Sequence, residues 1–126
     1  MNILIADDEE GLRLSMAGIL EMENHRVFIA ADGLEAIEKA RQHDIEIAFL
    51  DVKMPGINGV ETFKEIKKLR PAIVVIIMTA FAINDLIQEA IQEGAYACIS
   101  KPFDPGQLIT MIETIGKGKN GPGRPE

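Results

Sequence analysis

The chain has 126 residues, of which 47% are hydrophobic and 5% aromatic, and its formal net charge is −7. This length fits one domain with an aliphatic core, and the acidic balance argues against direct binding to nucleic acid or to an anionic membrane surface. The sequence shows no signal peptide pattern and no apolar run near 18 residues, so we expect neither secretion nor a membrane span.

Short apolar segments alternate along the chain with segments of helical periodicity. The apolar segments predict strands at residues 3–6, 27–30, 45–50, 73–78 and 97–99. The intervening and following segments predict helices, whose expected core-facing residues are Leu12, Met16, Ile19 and Leu20; Leu34, Ile37 and Ala40; Val60, Phe63 and Ile66; Leu86, Ile87, Ala90 and Ile91; and Leu108, Ile109, Ile112 and Ile115.

Five alternations of strand and helix predict a doubly wound α/β fold, with a five-stranded parallel sheet and helices on both faces. Four of the five runs predicted as strands show little or no polar alternation, as is typical of strands covered on both sides. We expect one domain at residues 1–116. Residues 117–126 are rich in Gly and Pro and predict a flexible tail or linker.

Four of the predicted strands are followed by polar or charged residues whose side chains could act together in one site. Asp7 and Asp8 follow the first strand, Asp51 the third, Thr79 the fourth and Lys101 the fifth. Since parallel α/β sheets bind ligands beyond the carboxyl ends of their strands, we expect these side chains to converge. Clustered carboxylates indicate a hard cation such as Mg²⁺ or Mn²⁺. Asp51 is then the candidate nucleophile that accepts a phosphoryl group. Lys101 would offset the negative charge of this group, and Thr79 would donate a hydrogen bond to one of its oxygens.

Each of these residues also has a simpler structural explanation. Consecutive acids after the first strand favour the positive end of the next helix, and for Glu9 and Glu10 this is the better explanation. Asp51 could be a turn former ahead of "MPGING", Thr79 a helix cap, and Lys101 an ordinary surface lysine. Their joint placement at separate strand ends favours a site over these separate explanations.

Four segments occur in the order and spacing of a known family: "ILIADDE", "FLDVKMPGINGVE", "VVIIMTA" and "SKPFD". Together they resemble the response regulator receiver domain, the phosphate-accepting module of two-component signalling, from Asn2 to about Gly116. The resemblance implies a flavodoxin-like sheet with strand order 2-1-3-4-5. It also implies a cytoplasmic signalling module that catalyses its own phosphorylation and dephosphorylation, rather than an enzyme that acts on other substrates.

The resemblance assigns the metal site and the phosphoacceptor to individual residues. Asp51 matches the acceptor of a phosphoryl group from a histidine on a sensor kinase or on a histidine phosphotransfer protein. Asp7 and Asp8 match the metal pair; Asp8 and Asp51 would contact Mg²⁺ directly, and Asp7 would act through water. Lys53 would offer its backbone carbonyl to the metal.

The remaining assignments concern the residues that respond to the phosphoryl group. Thr79 matches the switch hydroxyl, and Lys101 the lysine that pairs with Asp51 or with its phosphate. The Lys101–Pro102 bond matches one that is usually cis in the family. Gly56 and Gly59 in "MPGING" allow the chain to turn sharply after the acceptor.

One position departs from the family pattern. Receiver domains typically carry an aromatic residue three positions before the lysine, where this chain has Cys98, and Tyr96 lies two residues earlier. We therefore expect signalling by phosphoryl relay or by shifts in the loop after the fourth strand, rather than by an aromatic flip. As the sole cysteine, Cys98 forms no internal disulfide, which suits a reducing cytoplasm.

The family resemblance also points to partners. We expect a downstream effector or output domain, and a monomer or weak dimer. In the family, the usual partner face lies between the fourth helix, the fifth helix and the last strand. Near it, Phe103 and Ile83 are interpreted as core residues, and Phe81 as a residue that shields the phosphoryl group or contacts a kinase. Phe81 and Lys53 are expected to affect the lifetime of the acyl phosphate.

Two other classes of protein compete with this interpretation. A Mg²⁺-dependent phosphatase that forms an aspartyl phosphate usually carries a second acid two residues after the nucleophile, but here Val52 and Lys53 follow Asp51. A receiver-like interaction domain that is not phosphorylated would not need the acceptor, metal, hydroxyl and lysine residues, all of which are present.

Overall fold

The computed structural model describes residues 1–80 and 84–120, in which strands and helices alternate. The strands are β1 (Asn2–Ala6), β2 (Arg26–Ala30), β3 (Ile47–Asp51), β4 (Val74–Thr79) and β5 (Ala97–Ser100). The helices are α1 (Glu10–Met22), α2 (Gly33–Gln42), α3 (Gly59–Leu69), α4 (Asn84–Gln92) and α5 (Pro105–Asn120). The predicted α/β class is confirmed.

The strands form one parallel sheet in the order β2-β1-β3-β4-β5. In the register of β1 with its two neighbours, Ile3 lies opposite both Val27 and Ile47. The chain runs from β1 to the edge at β2 and then crosses back to β3, so the strand order reverses between β1 and β3. In such sheets ligands bind at the carboxyl ends beside this reversal. The doubly wound, flavodoxin-like order implied by the resemblance is confirmed.

Each face of the sheet carries its own hydrophobic core, because successive side chains of a strand point to opposite faces. Ile3, Ile5 and Phe49 pack with α1 and α5, whereas Leu4 and Leu50 pack with α2, α3 and α4. All five side chains are fully buried. Helices on both faces therefore hold the sheet, and its strand ends form a fixed edge for polar residues. Among the described helices, none has both the length and the apolar character required to cross a membrane.

The helix stripes predicted from spacing were wrong at two positions. Leu34 is 69% exposed and Ile91 is 51% exposed. In α2 the buried side is made of Gly33, Ala36 and Ala40, small residues that bring the helix close to its neighbours and turn Leu34 outward. Spacing alone could not distinguish this small-residue stripe from one that starts at Leu34.

Strand ends differ from the predicted ones by one residue in several places, and two boundaries differ by two residues or more. Ile45 is buried but precedes β3, because its N–H donates to the carbonyl of His43 and pairing with β1 begins at Ile47. Helix α5 continues to Asn120, four residues into the segment expected to be a tail. The domain boundary after residue 116 stays a prediction.

Candidate functional site

The residues expected at the strand ends lie together at the carboxyl edge of the sheet. Asp51 and Thr79 are the last residues of β3 and β4, Asp7 directly follows β1, and Lys101 directly follows β5. A cavity of about 220 Å³ opens there, lined by Asp8, Asp51, Lys53, Thr79, Ala80 and Lys101. The topology therefore joins residues that are up to 94 positions apart in the chain.

Three carboxylates form the acidic part of this site. Asp7, Asp8 and Asp51 each place an oxygen within 4.8 Å of the other two. Asp7 is completely buried, Asp51 is 6% exposed, and Asp8 is exposed to solvent. Closely spaced carboxylate oxygens with one open side are a donor set that fits Mg²⁺ or Mn²⁺, since both ions prefer oxygen ligands and retain part of their water shell.

Asp7 already has a partner for each of its polar atoms. Its N–H donates to the carbonyl of Ala30, and its own carbonyl accepts from Arg13. Its carboxylate accepts from the N–H of Glu9 at 2.9 Å through one oxygen and from Lys101 at 2.5 Å through the other. These bonds explain how a carboxylate is tolerated at full burial.

Asp51 sits in an environment with opposing influences. Burial and the nearby charge of Asp7 raise the pKa of its carboxyl group above the ordinary value, while Lys101 and the N–H of Lys53 act in the opposite direction. The ammonium of Lys101 lies 3.4 Å from one carboxylate oxygen, and the N–H of Lys53 lies 3.4 Å from the other. The net effect raises the pKa of Asp51, so a cation bound beside it would favour its charged form.

Lys101 links two of the three acids. Burial alone lowers the pKa of its ammonium, but the hydrogen bond to Asp7 and the charge of Asp51 outweigh burial and raise the pKa above its usual range. Its backbone N–H donates to the carbonyl of Thr79 at 2.8 Å, which fixes the start of the loop after β5. The Lys101–Pro102 bond is cis, as the resemblance implies.

The start of α3 fixes the backbone of Asp51. Gly56 adopts a φ of +80°, which favours glycine, and Asn58 forms a capping box with Glu61. A Cβ on Gly59 would lie 2.2 Å from the carbonyl oxygen of Asp51. Only glycine lets the helix begin this close to the end of β3.

Sequence reasoning missed one residue of the site. Arg13, in α1, donates from its guanidinium to the carbonyl oxygen of Asp7 at 2.6 Å. A basic residue about one helical turn after a run of acids is a signal visible in the sequence. It was not distinctive enough to separate Arg13 from the other surface cations.

The structure describes some, but not all, of the residues singled out near the partner face. Cys98 lies opposite Ile77 in the sheet and is partly buried, and burial raises the pKa of its thiol. Tyr96 precedes β5 and is half exposed. Phe103 is partly buried against the core on the α1 and α5 side, as expected. Phe81 and Ile83 lie outside the described residues.

The comparison with protein families identifies the family to which this fold belongs. A family model described as the response regulator receiver domain matches residues 3–113. The chain belongs to this family. Receiver domains are phosphoacceptors in two-component signalling, and they work with histidine kinases or phosphotransfer proteins and with Mg²⁺.

Individual relatives agree with the family. Sporulation initiation phosphotransferase F of Bacillus subtilis is 39% identical over 111 residues, which are 88% of this chain and 90% of that protein. The transcriptional regulatory protein PdtaR of Mycobacterium tuberculosis is 39% identical over 112 residues, which are 88% of this chain but only 54% of PdtaR. The chain thus spans about half of the length of that regulator.

A solved structure supports the same assignment. The response regulator receiver domain protein (CheY-like) of Methanospirillum hungatei JF-1 superposes with a TM-score of 0.89 at 33% identity, over 95% of this chain and 98% of that one. The arrangement of the strands and helices is therefore that of a receiver domain.

Proposed function

We propose that Asp51 is the phosphoacceptor of this receiver domain. The observation that carries the proposal is the position of its carboxylate, which lines an open cavity within 4.8 Å of the Asp7 and Asp8 oxygens and 3.4 Å from Lys101. A nucleophile for phosphoryl transfer needs access to its donor and nearby cations to offset charge, and Asp51 is the carboxylate with both.

We further propose a Mg²⁺ site, which Mn²⁺ also fits, made of Asp7, Asp8, Asp51 and Lys53. Asp8 and Asp51 would supply side-chain oxygens and Lys53 its backbone carbonyl. Both oxygens of Asp7 already accept hydrogen bonds, which favours a role through water for that residue. When bound, the ion supplies positive charge next to the phosphoryl oxygens.

The reaction proposed for the chain is self-catalysed. A carboxylate oxygen of Asp51 forms a bond to phosphorus as the bond between phosphorus and the donor histidine nitrogen breaks. Lys101 would pair with one phosphoryl oxygen, and the hydroxyl of Thr79, buried at the end of β4, would donate a hydrogen bond to another. Water later attacks the phosphorus atom, the bond between phosphorus and the Asp51 oxygen breaks, and the carboxylate is regenerated as inorganic phosphate leaves.

Mass measurement of the intact chain tests the assignment. Acetyl phosphate or phosphoramidate with Mg²⁺ should add one phosphoryl group to the wild type and none to Asp51→Asn. BeF₃⁻ should bind only when the metal is present. Modification that persists in Asp51→Asn would contradict the role of Asp51, and rapid turnover of many phosphate esters would indicate a phosphatase.

For the biological role we propose phosphoryl relay between a sensor histidine kinase or histidine phosphotransfer protein and a downstream effector, in the cytoplasm. Cys98 in place of the usual aromatic residue and the likeness to sporulation initiation phosphotransferase F support relay. Relay predicts equal affinity for a histidine phosphotransfer partner before and after phosphorylation. A large gain in affinity on phosphorylation would instead indicate a switch.

A further inference from the structure

Arg13 reaches from α1 back to the acidic edge of the sheet. Its backbone N–H donates to the carbonyl of Glu9 within the first turn of the helix, and its guanidinium donates to the carbonyl oxygen of Asp7 at 2.6 Å. We infer that Arg13 is a positioning residue for the metal site: it fixes the peptide unit between Asp7 and Asp8, and thereby the Asp8 carboxylate. This inference rests on the proposed function.

The geometry of the corner between β1 and α1 explains why this bond matters. The side chain of Asp7 is held by Glu9 and Lys101 whatever Arg13 does. Asp8, in contrast, is exposed and lines the cavity. Because a peptide unit is planar, fixing the Asp7 carbonyl also fixes the direction in which the chain continues to the Cα atom of Asp8.

Arg13 is also partly buried, so its hydrogen bond is less exposed to competition from water than a bond at the open surface. Residues that orient metal ligands without touching the ion commonly have strong effects on affinity. Arg13 fits this role, because it contacts the backbone that carries two of the three acids and none of its bonds is to a carboxylate in the cluster.

The charge of Arg13 and its hydrogen bond predict opposite changes in Mg²⁺ affinity when Arg13 is replaced. A guanidinium near the acidic pocket repels Mg²⁺, so removing the charge alone should tighten metal binding. Removing the hydrogen bond frees the Asp7–Asp8 peptide and should weaken metal binding. The direction of the change therefore separates a positioning role from a purely electrostatic one.

Isothermal titration of the full chain with Mg²⁺ tests the inference. Arg13→Met keeps an unbranched apolar stem but removes the donor and the charge, and we expect its dissociation constant to rise about tenfold. Arg13→Lys retains the charge and an ammonium group that can donate to the Asp7 carbonyl, and we expect it to recover part of the affinity. Arg41→Met removes the same charge from α2, where Arg41 pairs with Glu38, and should leave affinity within about twofold.

The outcomes separate the hypotheses. Weaker binding by Arg13→Met, with a circular dichroism spectrum like that of the wild type, supports the positioning role. Unchanged or tighter binding by Arg13→Met overturns it, and so does a loss of affinity that Arg41→Met reproduces. If the wild type itself does not bind Mg²⁺, the proposed metal site fails, which is a different result from a wild type that binds and an Arg13 variant that binds equally well.

Discussion

The surroundings of Asp51 are less favourable to its charged form than water is. Burial and the charge of Asp7 raise the pKa of its carboxyl group despite the opposing effect of Lys101. The native state therefore binds a proton more tightly at Asp51 than the unfolded chain does. As pH rises from the ordinary carboxyl value through the raised folded pKa, the free energy of unfolding falls.

Asp51→Asn should consequently stabilise the metal-free protein at neutral pH. The amide resembles the protonated carboxyl group in shape and carries no charge to repel Asp7. Urea unfolding in EDTA should be repeated between about pH 4 and about pH 7. The free energy of unfolding of the wild type should decline as pH rises, and Asp51→Asn should lack this contribution to the decline. Glu113→Gln, at an exposed position on α5, is the control. An Asp51→Asn variant less stable than the wild type at pH 7 would contradict this account.

Replacing Lys101 should destabilise the folded chain, in contrast to the replacement of Asp51. Lys101→Met leaves the fully buried carboxylate of Asp7 without its charged partner. We expect a loss of about 3 kcal/mol in the free energy of unfolding, because an unpaired buried charge is strongly destabilising. Lys68→Met removes an exposed lysine that pairs with Glu65 on α3 and should change stability by less than about 1 kcal/mol. Equal losses in the two variants would show that Lys101 does not stabilise Asp7.

At the scale of elements, the contact between α3 and β3 couples the fold to the site. Gly59 is the first residue of α3, and its Cα faces the backbone carbonyl of Asp51. A side chain at this position has to push the helix away from β3. The start of α3 and the position of Asp51 are therefore fixed by the same close approach.

Gly59→Ala and Gly18→Ala should change stability in opposite directions. The Cβ of Gly59→Ala would meet the Asp51 carbonyl oxygen at 2.2 Å, whereas a Cβ at Gly18 meets nothing within 4 Å. We expect Gly59→Ala to lose about 1–3 kcal/mol through overpacking and Gly18→Ala, within α1, to gain about 0.5–1 kcal/mol. Urea unfolding of both variants is the measurement, and stabilisation by Gly59→Ala would disprove the close approach.

Local patterns predicted the elements well where hydrophobic residues are both large and periodic. The stripe Val60, Phe63 and Ile66 is buried as expected because α3 packs through large side chains. Hydrophobic spacing gave the wrong answer at Leu34, because α2 packs against its neighbours through Gly33 and the small residues Ala36 and Ala40. Small residues carry little hydrophobic signal, although they permit the closest packing.

At the scale of the whole molecule, the order of the strands determines which residues meet. The expected convergence of Asp7, Asp51, Thr79 and Lys101 followed from a general rule about parallel sheets, but the order 2-1-3-4-5 came from the family resemblance. Local periodicity holds no information on which strands are neighbours. The bond from Arg13 to Asp7 was beyond sequence reasoning for a related reason: it depends on the angle at which α1 leaves the sheet.

Mg²⁺ should stabilise the folded chain through the same long-range arrangement. The acids lie on separate strand ends, β1 and β3, so the proposed site exists only when the sheet is formed. At about 100 times its dissociation constant, Mg²⁺ should add about 2.7 kcal/mol to the free energy of unfolding of the wild type. Asp8→Asn should lose most of this gain, while Asp44→Asn, at an exposed position outside the cavity, should keep it. Thermal unfolding with and without Mg²⁺ measures the difference. An equal gain for both variants would mean that the ion stabilises the chain at some other place than the acidic cluster, and the metal assignment to Asp8 would then be wrong.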